Sequence, residues 1–348
     1  MLAPPVLPID PDALDTPAAT AALARAAALI RAGRLVAFPT ETVYGLGADA
    51  LNADAVRRIF AAKGRPSFNP VIAHVADVDD ARALVTAWPD AADRLAAAFW
   101  PGPLTLVLPK RAHVPDALTA GLPAVALRVP AHPVARALVR AAGGPIAAPS
   151  ANRYTELSPT TAAHVVRALG ARVDLVLDGG PTAVGIESTV VDLTGPARGD
   201  GPPRLLRPGT LARARLEAAL GTELAAAPRA DGDAPRLAPG MVARHYAPRA
   251  AVWAFDEGER RAAAIRLARW RAEHPTGRAG ALLLAPWIGE GPPDVVEVLP
   301  ADPDGYARRL YAALHALDED GCAVALVERP PATPPWHGVH DRLERAAA

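Results

Sequence analysis

Residues 60–74 read FAAKGRPSFNPVIAH and set a lysine, an arginine two residues on, a serine and a histidine between a predicted helix end and a predicted strand. The lysine is informative because it is rare. Of 37 basic residues only Lys63 and Lys110 are lysines, and the other 35 are arginines. A chain that writes ordinary surface charge as arginine has a particular use for a compact ammonium at 63. Two chemistries suit Lys63 and Arg65: cations complementing the negative end of a helix dipole, or fixed positive charge for an anionic ligand. Five further polar groups stand where strands give way to loops, the usual address of sites in α/β proteins. PTETVYGLGAD (39–49) carries Thr40, Glu41, Thr42 and Tyr44, then Gly45 and Gly47, which allow tight turns and close approach of backbone to a ligand. PSAN (149–152) puts Ser150 and Asn152 on one side of an extended segment. GIEST (185–189), Arg207 in LLRPGT (205–210) and the His-Tyr pair of RHYAP (244–248) complete the set. Taken singly, each also suits an ordinary turn, strand entry or linker anchor.

The elements that must position these residues follow from periodicity. Ala55, Val56, Ile59 and Phe60 have helical spacing, so 52–63 is an amphipathic helix stopped by Gly64. Further helices are predicted over 16–32, 79–87, 91–99, 133–142, 160–169 and 211–220. Strands are predicted over 34–40, 70–75, 104–109, 124–130, 145–152, 173–180, 188–193 and 204–209. Their irregular alternation, with some strands adjacent, predicts a mixed-sheet α/β or α+β domain rather than a strictly parallel wound sheet. Residues 222–250 hold four prolines and little periodicity, which reads as a linker. A β-α-β-β-α-β run follows from 251 to 330, with no G-x-G-x-x-G fingerprint. The expected organisation is a mixed α/β domain over 1–220, a linker over 221–250 and a smaller α/β domain over 251–348.

Bulk properties narrow the function. A chain of 348 residues suggests about two domains, and 51% hydrophobic residues supply a sizeable core. Formal net charge is zero, which argues against tight nonspecific nucleic-acid binding but leaves room for a small anionic site. One cysteine, Cys322, rules out an intrachain disulfide and a cysteine-based metal cluster. No secretory leader pattern and no apolar run of membrane-spanning length is visible, so a soluble, cytoplasmic protein is expected.

Taken together, the segments resemble the threonylcarbamoyladenylate synthase family in its long, two-domain form. The match is carried by PTETVYGLGADA, KGRPSFNPVIAH, WPGPLTLVLP, VALRVPAHP, PIAAPSAN with SPTTAAHV, GIESTVVDL, LLRPG and APGMVARHYAP, in the family's order over 39–248. The resemblance implies a YrdC-like twisted mixed sheet with a large concave face, plus a small C-terminal Rossmann-like domain. It implies that L-threonine, bicarbonate or carbon dioxide, and ATP (with Mg²⁺) give threonylcarbamoyl-AMP and pyrophosphate. The product would pass to the tRNA threonylcarbamoyl transferase machinery, for adenosine 37. By the same resemblance Lys63, Arg65, Ser150 and Asn152 frame the nucleotide, and Ser67, Ser158, Arg207 and Tyr246 add ATP contacts. Threonine is held by Thr40, His74, Arg128 and Ser188, with the backbone near Ala148. No residue is assigned as a covalent nucleophile or as a certain metal ligand; Glu187 and Asp192 suit either a metal or a structural role.

Two departures touch the site. Tyr154-Thr155 replaces the family's Ser-Gly after the Ser-Ala-Asn, and Ala124 stands where threonine is common. Three competing readings are an RNA-binding YrdC-like module, a hydrogenase-maturation carbamoyl-transfer domain and a regulator without activity. Neutral net charge counts against the first, the single cysteine against the second, and the retained cations and hydroxyls against the third. Residues 238–248 are expected to close over ATP as a lid. Stable direct binding to tRNA and association with membranes are not expected.

Overall fold

The chain was analysed as a computed structural model that describes residues 3–226, 246–288 and 291–347. Local signals set the helices that matter for the site. Asn52 caps the helix Ala53–Lys63, its Oδ1 accepting from the backbone N–H groups of Asp54 and Ala55 at 3.0 and 3.1 Å. Gly64 ends that helix at φ 65°, the left-handed geometry that glycine adopts without steric cost. Lys63 is thereby fixed as the last helical residue, with Arg65 just beyond the turn.

Eleven strands form one mixed sheet. From edge to edge they are Val6–Pro8, Leu175–Asp178, Val36–Phe38, Gly45–Asp49, Ile146–Ala147, Ala73–His74, Ala124–Arg128, Leu104–Pro109, Thr189–Asp192, Arg204–Arg207 and Ala225–Ala226. Parallel and antiparallel pairings alternate irregularly, as the sequence predicts. Ala73–His74 runs parallel to Ala124–Arg128, so His74 and Arg128 are direct neighbours. A second, all-parallel sheet has the order Ala251–Phe255, Cys322–Glu328, Arg278–Leu283, Val295–Val298. It carries the helices Arg260–Glu273, Pro303–Glu319 and His337–Ala347.

Several elements depart from the sequence expectation, among them the short strands Val6–Pro8 and Ala225–Ala226, the latter inside the expected linker. Gly45 and Gly47 lie inside the strand Gly45–Asp49, not in turns. Gly47 is required by packing: a Cβ there would sit 2.7 Å from the Phe38 ring and 3.0 Å from the Val36 carbonyl. The helix His337–Ala347 was not anticipated; Val339, Leu343 and Ala346 form its buried face. Residues 238–245 of the expected lid, 238–248, lie outside the described residues. No helix among the described residues is long and apolar enough to cross a membrane.

The two sheets share one apolar seam. Val43, Leu157, Ile186 and Tyr246 pack with Tyr306, Leu310, Tyr311 and Leu314. Gly185, at φ 86°, lets the backbone press onto the helix Pro303–Glu319, where a Cβ would lie 2.4 Å from the Ala307 carbonyl. Arg308 Nε donates to the Ala183 carbonyl at 2.8 Å. His164 stacks on His315 with ring centroids 3.9 Å apart, and His315 Nε2 lies 3.1 Å from the Ser158 carbonyl oxygen.

That histidine pair ties stability to pH. Burial, then the charge of Arg167, pushes His164 down to about 4. Burial, then His164 itself, pushes His315 down to about 3. Arg167 and Arg249, with Glu319 and Asp318, line the same groove. Both rings are neutral when folded, while an unfolded histidine takes up a proton near pH 6.5. Stability is therefore complete above that value and falls as pH drops toward the folded values. Thermal unfolding at pH 7 and pH 5 should show a larger loss of Tm for the native chain than for the His164→Phe, His315→Phe double variant. Equal losses would contradict this assignment.

Candidate functional site

The strand ends open into one cleft, lined by residues of the first domain and by Tyr246 from the segment that follows it. One wall is built on the neighbouring strands that carry His74 and Arg128. Arg128 is 3% exposed, and three partners hold its guanidinium flat. Nη2 pairs with Glu41 Oε1 at 2.7 Å, Nη1 donates to Thr42 Oγ1 at 2.9 Å, and Nε donates to the Gly102 carbonyl at 3.2 Å. Burial, then the nearby charge of Arg128, pushes His74 down to about 3, so its ring is neutral at physiological pH. Its Nδ1 is buried with no hydrogen-bond partner among the described residues. Thr40 Oγ1 donates to the Val43 carbonyl at 2.6 Å, and the Ala148 N–H donates to the Ile72 carbonyl at 3.0 Å. Ser188 Oγ shares a 2.7 Å hydrogen bond with Thr105 Oγ1.

Arg65, Ser150, Arg207 and Tyr246 form the other wall. Arg65 donates from Nε to the Asn69 carbonyl at 3.1 Å and from Nη2 to the Pro70 carbonyl at 2.9 Å. Burial draws it down to about 10, which leaves it charged at neutral pH. Arg207 donates to the Ser188 carbonyl at 3.0 Å and to Ser188 Oγ at 3.1 Å, and reaches the Tyr246 hydroxyl at 3.4 Å. Tyr246 is held at φ 60°, unusual for a bulky residue, with its ring 6.0 Å from that of Tyr311. The lining thus carries three guanidiniums and one carboxylate, Glu187, in a partly dehydrated cleft. Such an arrangement favours anions and holds its donors in place before any ligand arrives.

Four of the anticipated residues do not line the cleft. Lys63 is buried, with Nζ 2.6 Å from the Ser150 carbonyl, 2.5 Å from the Asn152 carbonyl and 3.3 Å from Asn152 Oδ1. Burial, then Arg65, draws its ammonium well below the usual lysine range, offset in part by Glu156 and Glu187. Here Lys63 braces the Ser150–Asn152 loop against the end of its helix. Asn152 Nδ2 turns away to the Arg153 and Glu156 carbonyls, at 2.9 and 2.7 Å. Ser150 and Asn152 therefore do not share a face, because the chain bends after Ser150. Ser67 is exposed on the turn before Asn69. Ser158 is fully buried and donates to Glu187 Oε1 at 2.5 Å.

The departures from the family pattern are also accounted for. Thr155 takes the glycine position and does so at φ 70°, where a β-branched residue is rare. Ala124 is buried in its strand opposite Pro109. Sequence reasoning missed Arg342, which is fully buried and contacts Glu187 and Pro208. Its signal was available as the apolar spacing of Val339, Leu343 and Ala346 around it.

Comparison with known proteins identifies the family and the fold. A family model of the Sua5, YciO and YrdC proteins, described as "Telomere recombination", matches residues 28–209. A second, described as "Threonylcarbamoyl-AMP synthase, C-terminal domain", matches residues 211–348. The threonylcarbamoyl-AMP synthase of Pyrococcus abyssi is 43% identical over 305 residues, covering 87% of each chain. That of Bacillus subtilis is 49% identical over 232 residues, covering 66% of this chain and 65% of its own. The crystal structure of P. abyssi Sua5 complexed with L-threonine has a TM-score of 0.88 at 40% identity, covering 98% of this chain and 97% of that one. The chain belongs to the threonylcarbamoyl-AMP synthase family, in its two-domain form.

The brace at Lys63 has a measurable consequence. Lys63→Met leaves the Ser150 and Asn152 carbonyls without their donor, a loss worth about 1–3 kcal/mol of stability for each buried group left unsatisfied. Urea unfolding should read this loss, and an unchanged midpoint would mean that Lys63 does not brace the loop.

Proposed function

We propose that this chain makes L-threonylcarbamoyl-AMP from L-threonine, bicarbonate or carbon dioxide, and ATP, releasing pyrophosphate. The observation that carries the reading is the convergence of Arg65, Arg128, Arg207 and the unpartnered Nδ1 of neutral His74 on one cleft. Family membership supports a nucleotidyltransferase-type activity, and the threonine bound to the P. abyssi relative supports the amino-acid substrate.

In this reading the threonine carboxylate lies against Arg128, whose planar fork suits two carboxylate oxygens. Thr40, Ser188 and His74 take the hydroxyl and backbone polar groups, beside Ala148. The threonine amine adds carbon dioxide, or bicarbonate with loss of water, to give a carbamate. A carbamate oxygen then attacks the α-phosphorus of ATP, and the bond to the β-phosphate oxygen breaks as pyrophosphate leaves. Arg65 and Arg207 stabilise charge on the transferring phosphoryl group, with Ser150 and the Tyr246 hydroxyl orienting the nucleotide. Lys63, Asn152, Ser67 and Ser158 belong to the nucleotide side. For Lys63, direct contact means exchanging one carbonyl for a phosphate oxygen.

Glu187 and Asp192, the two carboxylates weighed as metal ligands, are already engaged. Glu187 pairs with Arg342 and accepts from Ser158, while Asp192 accepts from the Thr194 N–H and lies 3.7 Å from Arg204. Among the described residues no group of three or more potential ligand side chains gathers. Mg²⁺ in this reading belongs to the ATP substrate and neutralises charge on the departing pyrophosphate. The product passes to a tRNA-modifying transferase that acts on adenosine 37. A cytoplasmic location fits that role.

Pyrophosphate release should require both L-threonine and bicarbonate. Arg128→Lys, which keeps charge but loses the fork, should raise KM for threonine by about tenfold or more while leaving KM for ATP nearly unchanged. Threonine-independent release would overturn the reading.

A further inference from the structure

Glu187 lines the cleft, yet its carboxylate accepts from three donors that lie outside it. Ser158 Oγ donates to Oε1 at 2.5 Å, Tyr311 OH donates to Oε2 at 3.2 Å, and Arg342 Nε donates to Oε2 at 2.7 Å. Burial works against its charge, but Arg342 and then Arg207 more than offset it, so the carboxyl sits below its usual range. Glu187 is therefore committed to structure and is not poised as a base.

Arg342 is the centre of that commitment, and it comes from the helix His337–Ala347 of the C-terminal domain. Besides Nε on Glu187 Oε2, its Nη2 donates to the Glu187 carbonyl at 3.2 Å and its Nη1 to the Pro208 carbonyl at 3.0 Å. Its guanidinium carbon lies 5.4 Å from the centre of the Tyr246 ring. Asp341, at 2.6 Å, supplies a second counter-charge. One guanidinium thus joins the residue before Ser188 to the residue after Arg207, and it sides the ring of Tyr246. Ser188, Arg207 and Tyr246 all line the cleft; Arg342 does not. The helix is also seated by shape. A Cβ on Gly338 would lie 2.2 Å from the Gly209 carbonyl, so the helix touches the Pro208–Gly209 turn backbone to backbone.

We propose that the helix His337–Ala347 completes the nucleotide wall of the cleft, with Arg342 as a positioning residue that sets Arg207 and Tyr246 through Glu187 and Pro208. The C-terminal domain is then part of the ATP site and not only a carrier of the preceding segment. This rests on the synthesis reading above, because it names which substrate the C-terminal domain serves.

Two full-length variants test it from different directions. Arg342→Lys keeps the charge but has a single head that cannot span Glu187 and Pro208 together. Gly338→Ala keeps every charged group and pushes the helix off the turn. Threonine-dependent pyrophosphate release gives KM for ATP and for threonine separately, with Tm recorded on the same samples. Native enzyme is assayed first; absence of threonine-dependent release there would defeat the synthesis reading and not the positioning claim. In that event ATP binding by calorimetry reads the same contrast between native and variant chains. In both variants KM for ATP should rise by about tenfold or more, with KM for threonine within about twofold. Both constants moving together, KM for ATP staying within about twofold in both variants, or loss of folded protein in both would assign the helix to stability alone and overturn the proposal.

Discussion

Arg128, Arg207 and Arg342 are each at most 3% exposed, and arginine keeps its charge inside proteins, so each must find its acceptors in the interior. Those acceptors come from segments far apart in sequence. Arg128 takes Glu41, Thr42 and the Gly102 carbonyl; Arg207 takes Ser188; Arg342 takes Glu187, Pro208 and Asp341. Removing one partner of a buried pair of this kind costs about 3–5 kcal/mol, since the remaining charge is stranded. The guanidiniums therefore pin loops that the sheet leaves unfixed, and Arg128 and Arg207 do so with the same atoms that set the charge of the cleft.

The chemistry follows from that rigidity. Donors already stripped of water and locked by carbonyls need no reorganisation when negative charge develops on a phosphoryl group. No covalent intermediate is needed if a carbamate and an α-phosphorus are held in line. The proposed reading divides the labour between the His74–Arg128 strand pair, on the threonine side, and the Arg65, Ser150, Arg207 and Tyr246 group, on the nucleotide side.

Much of this was legible in the sequence. The mixed sheet followed from irregular alternation of strands and helices, and the helix ending at Lys63 from its apolar spacing and Gly64. Nine of the anticipated residues meet at the cleft: Thr40, Arg65, His74, Arg128, Ala148, Ser150, Ser188, Arg207 and Tyr246. What stayed hidden depends on direction and long-range contact. The rarity of lysine marked Lys63 as special, but not that its ammonium points at two backbone carbonyls. Gly45 and Gly47 looked like turn residues because nothing local reveals that Phe38 needs the space above Gly47. The spacing of Val339, Leu343 and Ala346 marked a helix around Arg342, but not its role, since its partners Glu187 and Pro208 lie more than a hundred residues upstream.

In the proposed reading a fixed cationic frame selects its substrate by negative charge, and the threonine carboxylate joins Glu41 on Arg128. Calorimetric titration of the native chain with L-threonine and with L-threoninamide tests that most directly, because the two differ only in whether the carboxylate is present. Threoninamide should bind weaker by about a hundredfold, in line with a lost charge-assisted bidentate contact. Equal affinity would mean that Arg128 does not hold the carboxylate.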